Sequence, residues 1–449
     1  MYLKKYRKNA ASSPLPMALR ITLWTVVVLS LLTSGLPLRN NNLITGANAQ
    51  IKSDYNRGAV ELSLLLRRLQ TTASVLHTGA HPDDENSALL AKLARGNAIR
   101  VAYLSLTRGE GGQNIIGPDL FEALGVIRTE ELLQARALDG AEQLFTRAVD
   151  FGYTTSRTET AEKWGEKEVL GDVVRAIRTF RPLIIIARFS GTPSDGHGHH
   201  QMAGYLTPLA FRAAADPLQF PEQLSEGLHR WQALKLYLNE GFGTTTGNVR
   251  VNTGDYDPLI GRTYFEIAME GRSQHKTQEM GAPEMKGPQS TGMRLIESRI
   301  QTDSSLALSS SGLFDGIDTS LPGIATLYGI KDSTVIDALK QAQESAAQAL
   351  ADYNVFAPEK LISPLITGLR GVRDARNQLV NSAIEAQARD AADFLLEIKE
   401  QEFTRCLQLA AGVDVDVLTD SETITPGEQI GIAIRLFNNA LANSNTVVV

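Results

Sequence analysis

The 449-residue chain is poor in cysteine and histidine, and its first 49 residues contain no Asp or Glu. The single cysteine, Cys406, permits no internal disulfide, so we expect packing alone to hold the fold and Cys406 to be a small buried helix residue. No repeat of fixed period is present. Residues 1–49 carry six Lys and Arg, while the whole chain has a formal net charge of −6. The remainder is therefore strongly acidic, which argues against a nucleic-acid partner.

Residues 1–49 resemble a targeting segment. The basic start "MYLKKYRK" precedes the apolar run "ITLWTVVVLSLLTSGLPL", and "ANAQ" offers small residues for a cut after Ala49. The apolar run barely reaches membrane-spanning length, so a retained N-terminal anchor is the alternative to a cleaved signal peptide. We therefore predict a periplasmic or secreted protein, with membrane contact only through this segment if it is uncleaved.

Residues 50–317 alternate between apolar runs and amphipathic segments. The strand-like runs "ASVLHTGA", "IRVAYLSLT", "AVDFGY" and "LIIIARF" are separated by helix-like segments such as "ENSALLAKLARG" and "VIRTEELLQARALDGAEQLF". This alternation predicts an α/β domain, with a mostly parallel sheet covered by helices on both faces. In such sheets, ligands bind beyond the carboxyl ends of the strands.

The composition changes after residue 317. Residues 318–411 are rich in Ala, Gln, Glu and Leu, which predicts a small helical region. Residues 412–449 contain the short β-like runs "VDVDVL", "EQIGIAIRLFNN" and "TVVV", which predict the start of a truncated β-sandwich-like domain. Neither region contains a histidine, so we expect both to be dispensable for chemistry.

Two polar motifs, "AHPDDE" and "SDGHGHH", each follow a strand-like run. In each motif two candidate groups stand three residues apart: His81 and Asp84 in the first, His197 and His200 in the second. Two imidazoles and one carboxylate with an open position form a hydrolytic zinc site, and Asp83 beside it can accept a proton from water. Either motif alone could be a helix cap or a polar loop. Their shared position at one sheet edge favours the metal site.

Four pieces in order, "AHPDDE", "LTRGEGGQN", "IRTEEL" and "DGHGHH", resemble the PIG-L/LmbE family of zinc-dependent N-deacetylases, over about residues 74 to 280. The resemblance implies a Rossmann-like sheet and removal of an N-acetyl group from a glucosamine-type sugar or glycoconjugate. It implies that His81, Asp84 and His200 bind zinc and that Asp83 is the general base. His197 would stabilise the oxyanion or protonate the leaving amine.

The chain departs from the family pattern at one position. The family usually has an aspartate just before the last zinc ligand, where this chain has His199. The group that orients the zinc-binding histidine must therefore come from elsewhere, and Asp195 is one candidate.

Further polar residues are candidates for substrate contact: Arg108, Glu110, Asn114, Arg128 and His275. The alternatives are a plain turn for the glycine-rich loop, an ion pair between Arg128 and Glu131, and a surface loop around His275. We expect His77 to be a hydrogen-bonded core residue and His229 to lie at the surface or in packing.

These observations predict an exported zinc N-deacetylase. One alternative is a metal-dependent phosphoesterase, which usually needs a second metal about 3.5–4 Å from the first. His199 and Asp195 are the obvious spare ligands for it. The other alternative is a cell-surface glycan-binding protein that has lost activity.

Overall fold

The computed structural model describes residues 54–242, 247, 249–300 and 312–438. The predicted targeting segment and the last β-like run, "TVVV", lie outside these residues. The described strands are β1 (Ser74–Gly79), β2 (Arg100–Ser105), β3 (Glu142–Phe145), β4 (Ile184–Ala187), β5 (Lys235–Phe242), β6 (Val249–Asn252), β7 (Tyr256–Asp257), β8 (Arg262–Thr263), β9 (Ser290–Ser298), β10 (Val413–Thr419) and β11 (Ile432–Asn438).

Seven strands form the main sheet in the order β3-β2-β1-β4-β5-β9-β6. The first five are parallel, β9 is antiparallel to β5, and β6 is antiparallel to β9. Every residue of β1 and β4 is buried, as expected for central strands covered on both faces. The mostly parallel α/β fold is therefore confirmed. The chain leaves β1 towards β2 on one side and reaches β4 on the other, so the edge beyond β1 and β4 is the switch point where ligands bind.

Eight described α-helices precede, connect or follow the strands of this part of the chain. They are α1 (Gly58–Arg68), α2 (Ser87–Ala91), α3 (Glu122–Asp139), α4 (Arg157–Trp164), α5 (Glu166–Phe180), α6 (Gly198–Ala213), α7 (Pro221–Ser225) and α8 (Tyr264–Arg272). A π-helical turn, Lys92–Gly96, extends α2. Among the described residues, no helix is long and apolar enough to cross a membrane.

The prediction for the third strand is wrong. The run "AVDFGY", residues 148–153, is a loop, and the strand is β3, which the sequence pattern had assigned to the end of a long helix. Helix α3 ends at Asp139 because Gly140 has φ 85° and its N–H bonds the carbonyl of Arg136, a common helix stop. Residues 146–153 are therefore placed beyond the carboxyl end of β3, beside the ligand-binding edge.

The predicted helical region is present and has its own apolar core. Its helices are α9 (Gly323–Tyr328), α10 (Ser333–Ala351), α11 (Ile362–Leu379) and α12 (Ala386–Ala410). Cys406 is fully buried in this core, as expected. Leu62 and Leu66 of α1, with Leu69, belong to the same cluster. The division at residue 317 did not anticipate this contribution from α1, and the domain boundaries stay predictions.

After α12, β10 and β11 form an antiparallel hairpin whose residues are mostly exposed. A hairpin of two strands is marginally stable by itself. The assignment of this segment to the start of a β-sandwich-like domain stays a prediction.

Candidate metal centre

The motif after β1 folds into a tight turn that places Asp84 beside His81. The carboxylate of Asp84 accepts backbone N–H bonds from Ala80 at 2.9 Å and from His81 at 2.7 Å. This brings Asp84 Oδ2 to 3.2 Å from the Nδ1 of His81. The hydroxyl of Tyr103 donates to the carbonyl of His81 at 2.6 Å and leaves no room for a Cβ at Gly79. The backbone therefore fixes the relative position of the two side chains.

The third predicted ligand, His200, lies in the first turn of α6 and faces this pair. Its Nε2 lies 3.2 Å from His81 Nδ1 and 3.3 Å from Asp84 Oδ1. Ligand atoms around a tetrahedral zinc ion are separated by about 3.3 Å, given metal–ligand distances of about 2.0–2.2 Å. His81, Asp84 and His200 thus form a donor group whose composition and spacing fit such an ion. That they bind zinc stays a prediction.

The charges of this group are strongly coupled. Burial lowers the pKa of His81, but the neighbouring Asp84 carboxylate outweighs this effect and raises it to about 9. Burial raises the pKa of Asp84, yet His81 and His200 hold it well below its ordinary value. A metal needs deprotonated ligands, so we expect metal binding here to release a proton.

The outer partners of the donor group also fit metal binding. The Nδ1 of His200 lies 3.3 Å from the backbone carbonyl of Asp195, which can accept its proton and fix the ring. Asp195, the candidate for orienting the zinc-binding histidine, thus contacts His200 through its backbone and not through its carboxylate. That carboxylate accepts backbone N–H bonds from Ser190, Gly191 and Thr192 and shapes the loop instead.

His199 and Asp150 lie on the opposite side of the His81 ring. The Nε2 of His81 is 3.0 Å from the Nδ1 of His199, and the carboxylate of Asp150 lies 3.6 Å from His199 Nδ1 and 4.0 Å from His81 Nε2. Asp150 is buried and was not predicted as a site residue. Gly140, which ends α3 and moves the third strand forward, is the signal that could have placed Asp150 at this edge.

Asp83, the predicted general base, directly precedes the donor residue Asp84 in the chain. Its carbonyl accepts a bond from the Arg272 side chain at 3.0 Å, and among the described residues its carboxylate forms no hydrogen bond. Burial raises the pKa of Asp83, and the charge of Asp84 raises it further.

His197 caps α6, and its protonation pattern follows from this position. Its Nδ1 accepts a bond from the backbone N–H of His199 at 3.0 Å, so its proton is carried on Nε2. Burial and the positive charge of His81 lower the pKa of His197 to about 4. His197 is therefore a neutral hydrogen-bond donor, which suits oxyanion stabilisation better than proton delivery.

The residues predicted to contact substrate lie in different surroundings in the structure. Arg108 and Glu110 line a cavity together with Asp150. The amide of Asn114 donates to the carbonyl of Asp119 at 2.9 Å and accepts from Ile116 N–H, so it forms part of a turn, and its substrate contact stays a prediction.

Arg128 is nearly fully buried, and it supports the glycine-rich loop by donating to the carbonyl of Gln113 at 2.8 Å. Glu131 binds the hydroxyl and backbone N–H of Thr277, both at 2.7 Å. The alternative of an ion pair between Arg128 and Glu131 is therefore not the arrangement observed.

The predicted substrate role of His275 is wrong, because its side chain is fully buried. Its Nε2 lies 3.1 Å from the carboxylate of Glu85, which also accepts a bond from Arg136 at 3.2 Å. Burial raises the pKa of Glu85, but His275 and Arg136 lower it to about 2. This buried network connects α3 and the segment after α8 to the turn that carries the donor group.

The remaining two histidines are where we expected them. His77 is fully buried, with Nδ1 2.9 Å from the carbonyl of Ile186 and Nε2 accepting the N–H of Asn86. His229 is partly exposed and lies 2.8 Å from Asp390.

Comparison with known proteins supports the resemblance. Residues 76–211 match the family model PIG-L, described as GlcNAc-PI de-N-acetylase. The mycothiol S-conjugate amidase of Streptomyces coelicolor is 32% identical over 177 residues, which cover 36% of this chain and 59% of that protein. The diacetylchitobiose deacetylase of Thermococcus kodakarensis is 32% identical over 167 residues, with the same two coverages.

The chain thus spans a little over half the length of these curated relatives. The N,N'-diacetylchitobiose deacetylase of Pyrococcus horikoshii aligns with 60% of this chain and 82% of its own, at 17% identity and a TM-score of 0.35. The family match covers β1, β4 and both motifs of the donor group. Over residues 76–211 the chain is therefore similar to the PIG-L family.

Proposed function

We propose that this protein is an exported, zinc-dependent hydrolase that removes the N-acetyl group from an N-acetylglucosamine-type sugar or glycoconjugate. The observation that carries the proposal is the convergence of His81, Asp84 and His200, with Asp83 directly before Asp84 in the chain. The two curated relatives named above are an amidase and a deacetylase, which supports hydrolysis of an amide.

Each of these residues has a separate role in hydrolysis of the amide. Zinc held by His81, Asp84 and His200 would supply Lewis-acid polarisation of the acetamide carbonyl and activation of a water. Asp83 accepts the proton of the attacking water and then delivers it to the leaving amine. His197 donates from Nε2 to the oxyanion that develops on the carbonyl oxygen. Acetate and a free amine are the products.

The phosphoesterase alternative is less well supported. A second metal would need ligands beyond the three already assigned, and the Asp195 carboxylate is occupied by three backbone N–H groups. His199 lies against the same imidazole, His81, that the first metal would use.

The export part of the proposal is supported by the basic start, the apolar run and the small residues before Gln50. Intact-mass measurement of the protein expressed with its full N-terminus tests it. A mature species that begins at Gln50 is expected. A species that retains Met1 and stays in the membrane fraction would indicate an anchor instead.

The activity is tested with a panel of N-acetylated sugars, assayed for acetate before and after removal of metal. A parallel assay measures phosphate release from phosphate esters. We expect acetate and free amine from at least one sugar, lost on chelation and restored by zinc, with no phosphate release. Phosphate release would favour the phosphoesterase, and sugar binding without turnover would favour the inactive glycan-binding protein.

A further inference from the structure

An open cavity of about 510 Å³ lies beside the candidate metal centre. Asp150 belongs to its lining and at the same time lies 3.6 Å from His199 and 4.0 Å from His81. Asp150 is therefore the residue through which the cavity comes near the donor group, on the side of the His81 ring that faces His199. Its volume is within the usual range for small-molecule sites, which is roughly 300–1,000 Å³.

The outer part of this cavity is apolar and exposed. Phe121, Val126 and Val149 line it with 67%, 71% and 56% of their surfaces exposed. Single exposed apolar residues are common, but several around one cavity indicate a surface that binds something apolar.

Phe121 is also strained. It stands before α3 with φ 55° and ψ −128°, a backbone conformation that side chains other than glycine rarely adopt. Packing does not explain the strain, because most of the ring faces solvent. A strained residue with an exposed aromatic ring at the mouth of a cavity is a candidate for ligand contact.

The charged residues of the lining restrict what the cavity can bind. Four carboxylates, from Glu110, Glu122, Glu130 and Asp150, face a single arginine, Arg108. That guanidinium stacks 4.3 Å from the ring centroid of Phe145, and its Nη1 bonds the carbonyl of Thr146. The negative charge of the lining repels phosphate and carboxylate groups, so a ligand without either group fits best.

We propose that this cavity binds an apolar, phosphate-free aglycone of the substrate. The inference rests on the proposed deacetylase function and specifies its substrate class. The acetamide of the sugar occupies the donor group, and the group attached to the sugar lies against Phe121, Val126 and Val149. Free sugar and sugar phosphates are then poor substrates.

Three related substrates test this inference: N-acetylglucosamine, its benzyl glycoside and its 1-phosphate. Burying a phenyl ring in the cavity should lower KM for the benzyl glycoside by roughly 10-fold or more relative to the free sugar. We expect the 1-phosphate to have the highest KM, and added salt to reduce its disadvantage.

The variant Phe121→Gly separates the binding role from folding, since glycine tolerates the backbone conformation of this position. We expect its KM for the benzyl glycoside to rise towards the value for the free sugar. Phe356→Gly is the matched control, because Phe356 is a 93% exposed phenylalanine of the helical region.

The two proposals fail in different ways. Turnover of the free sugar and of the benzyl glycoside with equal KM, or no effect of Phe121→Gly, would overturn the inference and leave the deacetylase function standing. No turnover of any substrate would contradict the proposed function. Calorimetric binding of the benzyl glycoside to wild type and Phe121→Gly then still decides whether the cavity takes an apolar group.

Discussion

The ligand-binding edge of the sheet and the core of the helical region bury ionisable groups in different ways. In the helical region, Lys399 is buried but donates to Glu402 at 2.6 Å and to a backbone carbonyl at 2.7 Å. At the sheet edge, His81 contacts two further imidazoles and carboxylates on both sides of its ring. Burying charge is costly unless it is paired. In the helical region the buried charges neutralise each other. At the sheet edge the cluster of imidazoles and carboxylates has the composition of a cation-binding site.

The largest expected effect is at the sheet edge. Asp84→Ala removes the only carboxylate of the donor group and leaves two imidazoles, fewer ligands than catalytic zinc normally has. We expect metal affinity to fall by more than the roughly 10–100-fold that loss of an outer partner costs. Metal analysis after dialysis against a competing chelator measures this. Retention of wild-type metal content by Asp84→Ala would show that Asp84 is not a ligand.

A substitution in the helical core should lower stability and leave activity unchanged. Phe403 is fully buried, and its ring packs directly against Gly368. We expect Phe403→Ala to lower the free energy of unfolding by about 3–5 kcal/mol, without changing kcat per folded molecule. Denaturant titration beside an acetate-release assay checks both. A fall in kcat at full folding would mean that the helical region contributes to the active site, contrary to our expectation that it is dispensable.

A histidine inside the sheet should make stability depend on pH. Burial lowers the pKa of His77 to about 4 from an ordinary value of 6.5. The unfolded chain therefore binds this proton more readily, and stability is lost as the pH falls from 6.5 towards 4, by about 3 kcal/mol for this group. Denaturation of the metal-free protein at several pH values, with His77→Gln as comparison, tests this. An equal loss in both proteins would assign the acid sensitivity to other groups.

The smallest effect is expected at the outer side of the donor group. Asp150→Asn keeps the shape of the side chain but removes the charge beside His199 and His81, so the orientation of His81 is less well held. We expect metal affinity to fall by roughly 10–100-fold. Asp172→Asn is the control, since Asp172 pairs with the exposed Arg147 instead. Equal affinities in the two variants would show that Asp150 does not support the metal ligand.

The sequence was informative where the site depends on local spacing. His81 and Asp84 stand three residues apart after a strand, and the structure places them together with His200, as the motifs predicted. Asp150 was missed because the end of α3 at Gly140 was not recognised, which shifted the third strand. His275 was misjudged because its partner, Glu85, lies 190 residues away and no local pattern reveals that contact.

The fold was predictable for a similar reason. An unbroken apolar run such as β4 indicates a strand that is covered on both faces of its sheet. This inference does not require knowing which segments cover it. The packing of Leu62 and Leu66 with the helical core was not predictable, because an amphipathic helix does not indicate which apolar surface it covers.

The central claim is that Asp83 acts as a base beside a metal held by its neighbours. The most direct measurement is the zinc content and acetate-release rate of Asp83→Asn, compared with wild type at the same metal occupancy. We predict full zinc content and a turnover lower by roughly 10²–10⁴, the usual contribution of a general base. Loss of zinc from Asp83→Asn, or a near-normal rate, would contradict the account.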